Sequence, residues 1–354
     1  MTVTNDSHAL PGTPEAPPSM QMMEMLYGAL ATQMISVAAE LGLADLLADG
    51  PRPVEELAAD SGADPTGLYR LLRGLASLGI FAETEPRTFT LTPLAGPLRT
   101  DVDGSMRWLA QEVGGKTRLL AYSELAHSVR TGKPAFDRAH GISMWAYLQS
   151  HPTELGLFGK AMGNLASAAH SAAFQSYDLS GARRMVDVGG GEGYLIAAVL
   201  PYYPNLTGVL FDEPHVVGRA SAIFEAAGLG DRTEAIGGDA FSSVPGDGDV
   251  YVLSSILFSY LDDEAITLLS NIRKVMNPAG QVLILEPVLP EGNLSHPGKL
   301  LDVTQLALHR GGVRSQAEFA ELFAASGLRL GEIRRMWPSA PTDMVIAVPA
   351  EGAR

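Results

Sequence analysis

The sequence contains no cysteine, which excludes a disulfide framework, a cysteine-based zinc site and a thiol nucleophile. Basic residues are also few, because 25 Lys and Arg stand against 40 Asp and Glu and give a formal net charge of −15. This acidic excess argues against binding along a nucleic-acid backbone, which depends on Lys and Arg that displace counterions. Since no apolar run reaches about 18 uninterrupted residues, we expect no membrane-spanning helix.

We also expect no secretion signal, because the first residues contain no basic region followed by an apolar run. Residues 1–18 are polar and rich in proline, so we expect a disordered tail on a cytoplasmic protein. The 354-residue chain is 46% hydrophobic, which is enough for about two domains with their own cores.

Residues 19–104 are predicted to form a helical domain that ends in a small hairpin. Apolar residues recur at three- and four-residue steps over 20–49, and Asp64-Pro65 is typical of a helix start. Residues 81–84 and 88–92 have the composition of two short strands. Helices followed by such a hairpin indicate a winged-helix arrangement.

A winged helix raises DNA binding as an alternative function. The segment in the position of a recognition helix, residues 65–78, has Arg70 and Arg73 as its only cations. Two cations are few for phosphate contacts, and the net charge opposes such contacts as well. We therefore predict that this domain dimerises, with its Met-rich first helix packed against a second copy of the chain.

Residues 105–180 are predicted to be mainly helical and to form a linker or lid over the substrate. From residue 181 to 354, β-rich runs alternate with helical ones; the β-rich runs are 184–188, 207–211, 233–237, 250–253, 281–286 and 344–348. This alternation predicts an α/β domain of the Rossmann type, with a parallel sheet and crossover helices. The main change in sequence character falls near residue 180.

The strongest local pattern is the run 185–194, where an apolar strand leads through a glycine-rich turn into a helix. The run lacks the third glycine of the dinucleotide pattern and the Gly-Lys-Ser/Thr of a phosphate loop. Asp212 ends the next strand, where a carboxylate can accept hydrogen bonds from ribose hydroxyls. Asp239 and Phe241 follow the third strand. The carboxylate of Asp239 can accept a hydrogen bond from the adenine amine, and the ring of Phe241 can pack on the face of the base. Together these elements predict an adenosine-bearing cofactor without a pyrophosphate.

These segments, with 211–216 and 285–290, resemble the S-adenosylmethionine-dependent small-molecule O-methyltransferases, which include plant caffeate-type enzymes and bacterial enzymes that tailor polyketides and anthracyclines. The resemblance covers nearly the whole chain, since that family also begins with a winged-helix dimerisation region. It implies a homodimer and S-adenosylmethionine bound in a Rossmann-like class I methyltransferase domain. It further implies an aromatic or polyketide-like substrate beneath the helical lid, as in bacterial antibiotic biosynthesis.

The resemblance also implies which residues form the site. The residues expected to contact the cofactor are Asp187, Gly189, Gly191, Asp212, Glu213, Asp239, Ala240, Phe241, Ser254 and Ser255. The residues expected to line the substrate pocket are Trp145, Met162, Phe258, Tyr260 and His309. Glu286 and His309 are the expected catalytic residues. No metal is expected.

The catalytic segment departs from the family at two positions. In the family a histidine after the fourth strand takes the proton of the acceptor hydroxyl, and its pKa near working pH suits that task. Phe258 stands at that position and cannot take a proton, while Val313 stands where the family has a glutamate. Only Glu286 matches the acidic residues of the family, so we expect the usual base to be missing.

Three explanations for the missing base remain open. The enzyme can still methylate oxygen, nitrogen or carbon by positioning the two reactants. Another residue can serve as the base, with His309, Tyr260 and His140 as candidates. Alternatively, the enzyme does not methylate and acts as a pericyclase, hydroxylase or decarboxylase, with S-adenosylmethionine in a structural or electrostatic role. We expect a methyltransferase that relies on positioning, with the non-methylating enzyme as the alternative.

Overall fold

A computed structural model describes residues 16–175, 177–336 and 342–350. The chain divides into two compact units, residues 1–96 and 97–354. Of the expected tail, residues 1–15 lie outside the described residues, and the first helix begins at Pro18. In the described part of the chain, none of the helices has the length and apolar character needed to span a membrane.

From residue 16 onward, the first unit consists of five helices and a three-stranded antiparallel sheet. The helices are α1 (Pro18–Leu26), α2 (Gly28–Glu40), α3 (Leu43–Leu46), α4 (Val54–Ser61) and α5 (Pro65–Ser77). The strands are β1 (Arg52–Pro53), β2 (Phe81–Glu85) and β3 (Thr88–Leu91), in the order β1-β3-β2. The predicted hairpin is confirmed as β2 and β3, whereas the two-residue β1 is too short to leave a sequence pattern.

The helical stretch predicted over 20–49 is broken into three pieces. Tyr27 separates α1 from α2, and Gly42, with a φ of 66°, separates α2 from α3. None of the residues of α1 is buried within the unit. The exposed apolar side chains of α1 and the first turns of α2, which we call the Met-rich face, are Met20, Met22, Met23, Met25, Leu26, Tyr27 and Leu30.

The second unit contains the helices predicted over 105–180 together with the sheet. Its helices are α6 (Arg107–Val113), α7 (Lys116–Ser123), α8 (Leu125–Thr131), α9 (Ala135–His140), α10 (Met144–Ser150), α11 (Pro152–Gln175), α12 (Tyr194–Val199), α13 (Pro214–Val217), α14 (Ala220–Ala226), α15 (Asp262–Val275), α16 (Pro297–Leu308) and α17 (Gln316–Ala325). Because α11 packs against both α6 and α12, the helices before residue 180 are part of this unit. The change in sequence character near residue 180 thus marks where the sheet begins, whereas the compact units divide near residue 97.

The sheet of the second unit has seven strands. They are β4 (Arg184–Val188), β5 (Thr207–Asp212), β6 (Thr233–Gly237), β7 (Val250–Ser254), β8 (Gln281–Glu286), β9 (Leu328–Arg334) and β10 (Asp343–Pro349), in the order β6-β5-β4-β7-β8-β10-β9. Strands β4 to β8 are parallel, and β10 pairs antiparallel with both β8 and β9. The six predicted strands are confirmed. Strand β9 escaped prediction because it is a partly exposed edge strand with polar residues.

The sheet is covered on both faces, so alternate residues of a strand enter different cores. In β4, Val186 and Val188 belong to one apolar cluster, while Met185 belongs to the other. The chain order reverses at β4, which has β5 on one side and β7 on the other. Ligands of open α/β sheets bind at such a switch point, beyond the carboxyl ends of the strands. The predicted cofactor residues lie at this edge.

Candidate active site

The glycine-rich turn after β4 leaves an open space at its centre. Gly191 has a φ of 63°, a left-handed conformation that glycine adopts without strain. A Cβ atom built on Gly191 would meet nothing within 4 Å, whereas one on Gly189 would lie 2.6 Å from Ile256 Cδ1. Gly189 is therefore required for packing, and Gly191 presents bare backbone to the space where a ligand can approach.

Asp187 lies buried beneath this turn without a hydrogen-bond partner. Its side chain is fully buried, and within the described residues neither carboxylate oxygen meets a donor. A Cβ atom on Gly190 would lie 2.3 Å from Asp187 Oδ2, so glycine is needed there as well. Burial raises the pKa of Asp187 to about 8, and the carboxylate of Asp212 acts in the same direction. A buried carboxylate of this kind is suited to a cationic ligand group such as an α-ammonium.

Asp212 is oriented by two backbone amides at the end of β5. Its Oδ2 accepts a hydrogen bond from Gly191 N at 2.8 Å, and its Oδ1 accepts one from Glu213 N at 2.6 Å. Each oxygen retains a lone pair, so the carboxylate can accept two ribose hydroxyls. Glu213 is exposed, and its Oε2 accepts from Gln149 Nε2 of α10 at 3.2 Å. Helix α10 is thereby tied to the end of β5.

The loop after β6 is held by Asn271 of α15. Asn271 Nδ2 donates to the carbonyl oxygens of Ala240 and Phe241, at 3.1 and 2.9 Å. Within the loop, Asp239 Oδ1 accepts from Phe241 N at 2.9 Å. Sequence reasoning missed Asn271, although a buried amide on an otherwise apolar helix face was a signal. Asn271 thus positions the loop expected to hold an adenine.

Tyr260, a predicted pocket residue, packs against this loop. Its ring packs edge-on against Phe241, with the ring centroids 4.9 Å apart. Burial raises the pKa of Tyr260 to about 12, and the carboxylates of Asp212 and Glu213 add to the increase. The phenol therefore stays protonated at neutral pH, which makes it a hydrogen-bond donor and a poor candidate for the base.

The turn that follows β7 is fixed from two sides. It starts at Ser254 and Ser255, and Ser255 has a φ of 60°, which is uncommon for a residue with a side chain. From one side, Glu286 Oε1 accepts from Phe258 N at 3.2 Å. From the other, Arg314 Nη1 donates to Leu257 O at 2.9 Å. A non-glycine residue at positive φ persists only where surrounding contacts hold it, as these do.

Arg314 also binds the far end of the same turn. Its Nη2 donates to Tyr260 O at 3.0 Å and to Asp262 Oδ1 at 2.8 Å. Gly311 lies so close that a Cβ atom there would be 2.5 Å from Phe258 O, Tyr260 N and Tyr260 O. Sequence reasoning missed both residues, because their partners are about 50 positions away in the chain. We call residues 255–260 with these supports the Phe258 turn.

Glu286, one of the two predicted catalytic residues, is fully buried beneath the Phe258 turn. Burial raises its pKa to about 7, although the Arg314 guanidinium and the amides of the turn oppose the increase. Within the described residues its Oε2 has no hydrogen-bond partner. The structure therefore places Glu286 where it supports the backbone around Phe258. Val313 is buried as well, and its amide donates to Asp302 Oδ1 at 2.9 Å.

Trp145 and His309, two of the predicted pocket residues, lie side by side. The rings stack with centroids 5.3 Å apart, and Trp145 also packs edge-on against Phe158 at 5.7 Å. Burial lowers the pKa of His309 to about 4, with a further contribution from Arg118. His309 is therefore neutral at neutral pH. Met162 lies half-buried on α11.

The third candidate base, His140, has a structural environment. Its Nε2 donates to the carbonyl oxygen of Thr117 at 2.9 Å. The centroid of its ring lies 4.2 Å from the centroid of the Phe136 ring. A metal site finds no support either, because no cluster of three His, Asp or Glu side chains suited to a metal occurs among the described residues. His309 differs from His140 in two ways. Its ring stacks on the predicted pocket residue Trp145, and no hydrogen bond from its ring to a backbone carbonyl is found within the described residues.

Replacing Asp187 with asparagine is expected to stabilise the ligand-free protein, and more so at high pH. The pKa of this carboxyl rises from 3.8 in the unfolded chain to about 8 in the folded protein. The free energy of unfolding therefore falls as the pH rises from 3.8 to about 8, because the unfolded chain releases its proton first. Asp187→Asn removes this loss. Thermal unfolding at about pH 5 and pH 9 should show the larger increase in Tm at the higher pH. An equal increase at both values would contradict the assignment of a buried, titrating carboxyl.

Comparison with known proteins identifies the family. Residues 122–329 match an O-methyltransferase domain, and residues 23–101 match an O-methyltransferase dimerisation domain. The chain belongs to this O-methyltransferase family. It is an S-adenosylmethionine-dependent methyltransferase with an N-terminal dimerisation domain, which implies a homodimer, and a Rossmann-like class I methyltransferase domain. The predicted fold and cofactor are confirmed.

Two relatives show the range of the family. A phenazine O-methyltransferase from Lysobacter antibioticus is 42% identical over 317 residues, which cover 90% of this chain and 93% of the relative. The aclacinomycin 10-hydroxylase RdmB from Streptomyces purpurascens is 32% identical over 336 residues, which cover 93% and 90%. This family therefore includes an enzyme whose name describes a hydroxylation.

Solved structures agree with the fold. The crystal structure of LaPhzM has a TM-score of 0.89 and 41% identity, covering 95% of this chain and all of that one. The O-methyltransferase NcsB1 from neocarzinostatin biosynthesis, in complex with S-adenosylmethionine and 2-hydroxy-5-methyl naphthoic acid, has a TM-score of 0.75 and 31% identity, covering 90% and 96%. The residues described above fit S-adenosylmethionine, because the buried Asp187 carboxylate lacks a donor and Gly191 faces open space.

Proposed function

We propose that this enzyme methylates a hydroxyl or amino group on a small, flat aromatic intermediate of natural-product biosynthesis, and that it does so by positioning. The observation that carries this proposal is the Phe258 turn, in which an apolar ring is presented on a backbone held by Glu286 and Arg314. The phenazine and naphthoic acid in the names of two relatives are flat aromatic molecules and support the choice of substrate class.

Asp187, Gly191 and Asp212 are the residues proposed to hold the amino acid and ribose parts of the cofactor. Asp239, Ala240 and Phe241 are proposed to hold its adenine, with Asn271 fixing their backbone. When bound, S-adenosylmethionine supplies an electrophilic methyl group on a sulfonium. A cationic group of the ligand would favour the charged form of the buried Asp187 carboxyl, so Asp187 together with Asp212 suits a cationic cofactor better than a neutral one.

Among the predicted pocket residues, all of which the structure describes, none is a strong base that could receive the acceptor proton. We propose that Phe258 takes the place of the family's histidine and packs on the acceptor ring. His309 is neutral, so its ring can accept a hydrogen bond from a hydroxyl, but a pKa of about 4 makes it a weak base. The site therefore suits acceptors that ionise readily, while alignment supplies the remaining rate enhancement.

The homodimer is proposed to form through the Met-rich face. All seven side chains of this face are large, apolar and exposed in the first unit. Contiguous apolar surface of this kind marks an interaction site, and methionine adapts well to a partner surface. Residues 19–104 would then be the dimerisation domain, 105–180 the lid and 181–354 the catalytic domain.

Incubation with methyl-labelled S-adenosylmethionine and 1-hydroxyphenazine tests the function. We expect label in the phenazine product at a rate that falls when Phe258 is replaced by alanine, because the acceptor ring loses its packing partner. Leu294 is an exposed apolar residue in the loop before α16, so Leu294→Ala serves as the control. Unlabelled phenazine in every reaction would contradict the choice of acceptor class.

The RdmB relative favours one second candidate, a hydroxylase on the same scaffold. Phe258 is compatible with it, because an apolar ring at the reacting centre binds a flat substrate whichever reaction follows. The same incubation distinguishes the two functions. Conversion of an aromatic substrate without transfer of label would favour the hydroxylase.

A further inference from the structure

A small cavity lies among α6, α7, α9, α10, α11 and α16 of the second unit. Its walls are mainly apolar and include Phe136, Phe158 and Leu308, while Glu112 and Arg118 form a polar end. Phe158 also packs on Trp145, and Leu308 immediately precedes His309. The cavity therefore adjoins the Trp145–His309 pair that we place in the substrate pocket.

The polar end of this cavity is a nearly buried ion pair. Both side chains are only 11% exposed, and Arg118 Nε donates to Glu112 Oε1 at 3.0 Å. Arg118 Nη2 binds the same oxygen. Glu112 Oε2 is buried and has no hydrogen-bond partner within the described residues. A carboxylate oxygen withdrawn from water without a donor is costly, so this oxygen is suited to a donor supplied by a ligand.

The charges around the cavity indicate which kind of ligand group fits. Arg118 is engaged by Glu112, and its Nη1 donates to Tyr122 OH at 3.4 Å. Glu154 adds a second carboxyl group to the lining, so two acidic side chains face one basic one. His309 adds no positive charge, because burial keeps its pKa at about 4. An anionic ligand group is therefore disfavoured, and a neutral hydrogen-bond donor is favoured.

We infer that Glu112 Oε2 accepts a hydrogen bond from a second hydroxyl or amino group of the acceptor, remote from the group that is methylated. Arg118 is a positioning residue, because it holds Glu112 Oε1 and leaves Oε2 toward the ligand. This inference rests on the proposed function. It narrows the substrate class to flat aromatic molecules with at least two donor groups, and it makes Glu112 a specificity-determining residue.

Three naphthalene probes test the inference: 1,5-dihydroxynaphthalene, 5-methoxy-1-naphthol and 1-naphthol. The three probes share the naphthalene ring and the hydroxyl at position 1 that is to be methylated. At position 5 the first carries a hydroxyl, which is a hydrogen-bond donor, the second a methoxy group, which only accepts, and the third neither. We expect the enzyme to prefer the dihydroxy probe over the other two by about tenfold in kcat/KM, as for a hydrogen bond to a charged acceptor. Equal values for the three probes would overturn the inference.

Glu112→Gln makes the test specific to this oxygen. The glutamine carbonyl can take the place of Oε1 on Arg118, which directs the amide NH₂, a donor, toward the ligand. The preference for the dihydroxy probe should then disappear or shift to the methoxy probe, whose ether oxygen accepts. The matched control is Glu124→Gln, which removes a carboxylate whose ion pair with Arg138 is exposed. This control should keep the wild-type preference.

Separate measurements distinguish a failure of the inference from a failure of the proposed function. Calorimetry with S-adenosylmethionine should give the same affinity for wild type and Glu112→Gln, which shows that the variant is folded. If neither the probes nor 1-hydroxyphenazine is methylated, the proposed function fails, and calorimetry with the probes still measures the preference for the second hydroxyl. An unchanged preference in Glu112→Gln, whether in turnover or in binding, would overturn the role of Glu112.

Discussion

Replacing Asp212 with alanine is expected to weaken the binding of S-adenosylmethionine about a hundredfold. The carboxylate is proposed to accept two ribose hydroxyls, and each hydrogen bond to a charged group contributes about 1.5–3 kcal/mol. The substitution also removes the acceptor that orients Gly191 N, which lies 2.8 Å from Asp212 Oδ2. The glycine turn would then lose part of its fixed geometry as well as its neighbouring charge.

Calorimetric titration with S-adenosylmethionine measures this effect directly. Asp231→Ala provides a matched control, because Asp231 is an exposed carboxylate in the short 3-10 helix before β6. The control variant should bind the cofactor with wild-type affinity. If Asp212→Ala also retains wild-type affinity, Asp212 is a structural cap for the turn and does not contact the ribose.

The cofactor edge was predictable because its signals are local in the sequence. A glycine at positive φ and an aspartate at a strand end are each determined by residues a few positions away, as at Gly191 and Asp212. Parallel strands then bring these separate signals to one edge of the sheet without further information. The boundaries of β4 and β8 agree with the sequence because buried strands are short apolar runs.

The supports of the site were not predictable, because they depend on contacts between distant segments. Asn271 acts on a loop 30 residues earlier, and Arg314 acts on a turn 57 and 54 residues earlier. Neither side chain belongs to a short motif. The contact of Tyr260 with Phe241 was also not predictable from sequence, because the short turn Leu257–Ser259 sets the direction of the ring.

Gly311→Ala is expected to lower kcat/KM for 1-hydroxyphenazine by about a hundredfold or more, because it displaces the Phe258 turn. The added methyl group would lie 2.5 Å from three backbone atoms of Phe258 and Tyr260, and a backbone cannot rotate away as a side chain can. A displacement of about 1 Å at a positioning residue is enough to cost this much in rate. The free energy of unfolding should fall by about 1–3 kcal/mol, as for overpacking elsewhere.

Two further variants keep the test of Gly311 decisive. Gly230→Ala adds the same methyl group where nothing lies within 4 Å, so it should leave turnover and Tm unchanged. Arg314→Lys adds no volume but removes the planar set of donors that holds Leu257 O and Tyr260 O, so it should lower kcat more than it raises KM for the cofactor. Wild-type turnover in both Gly311→Ala and Arg314→Lys would show that the reaction does not depend on the position of Phe258.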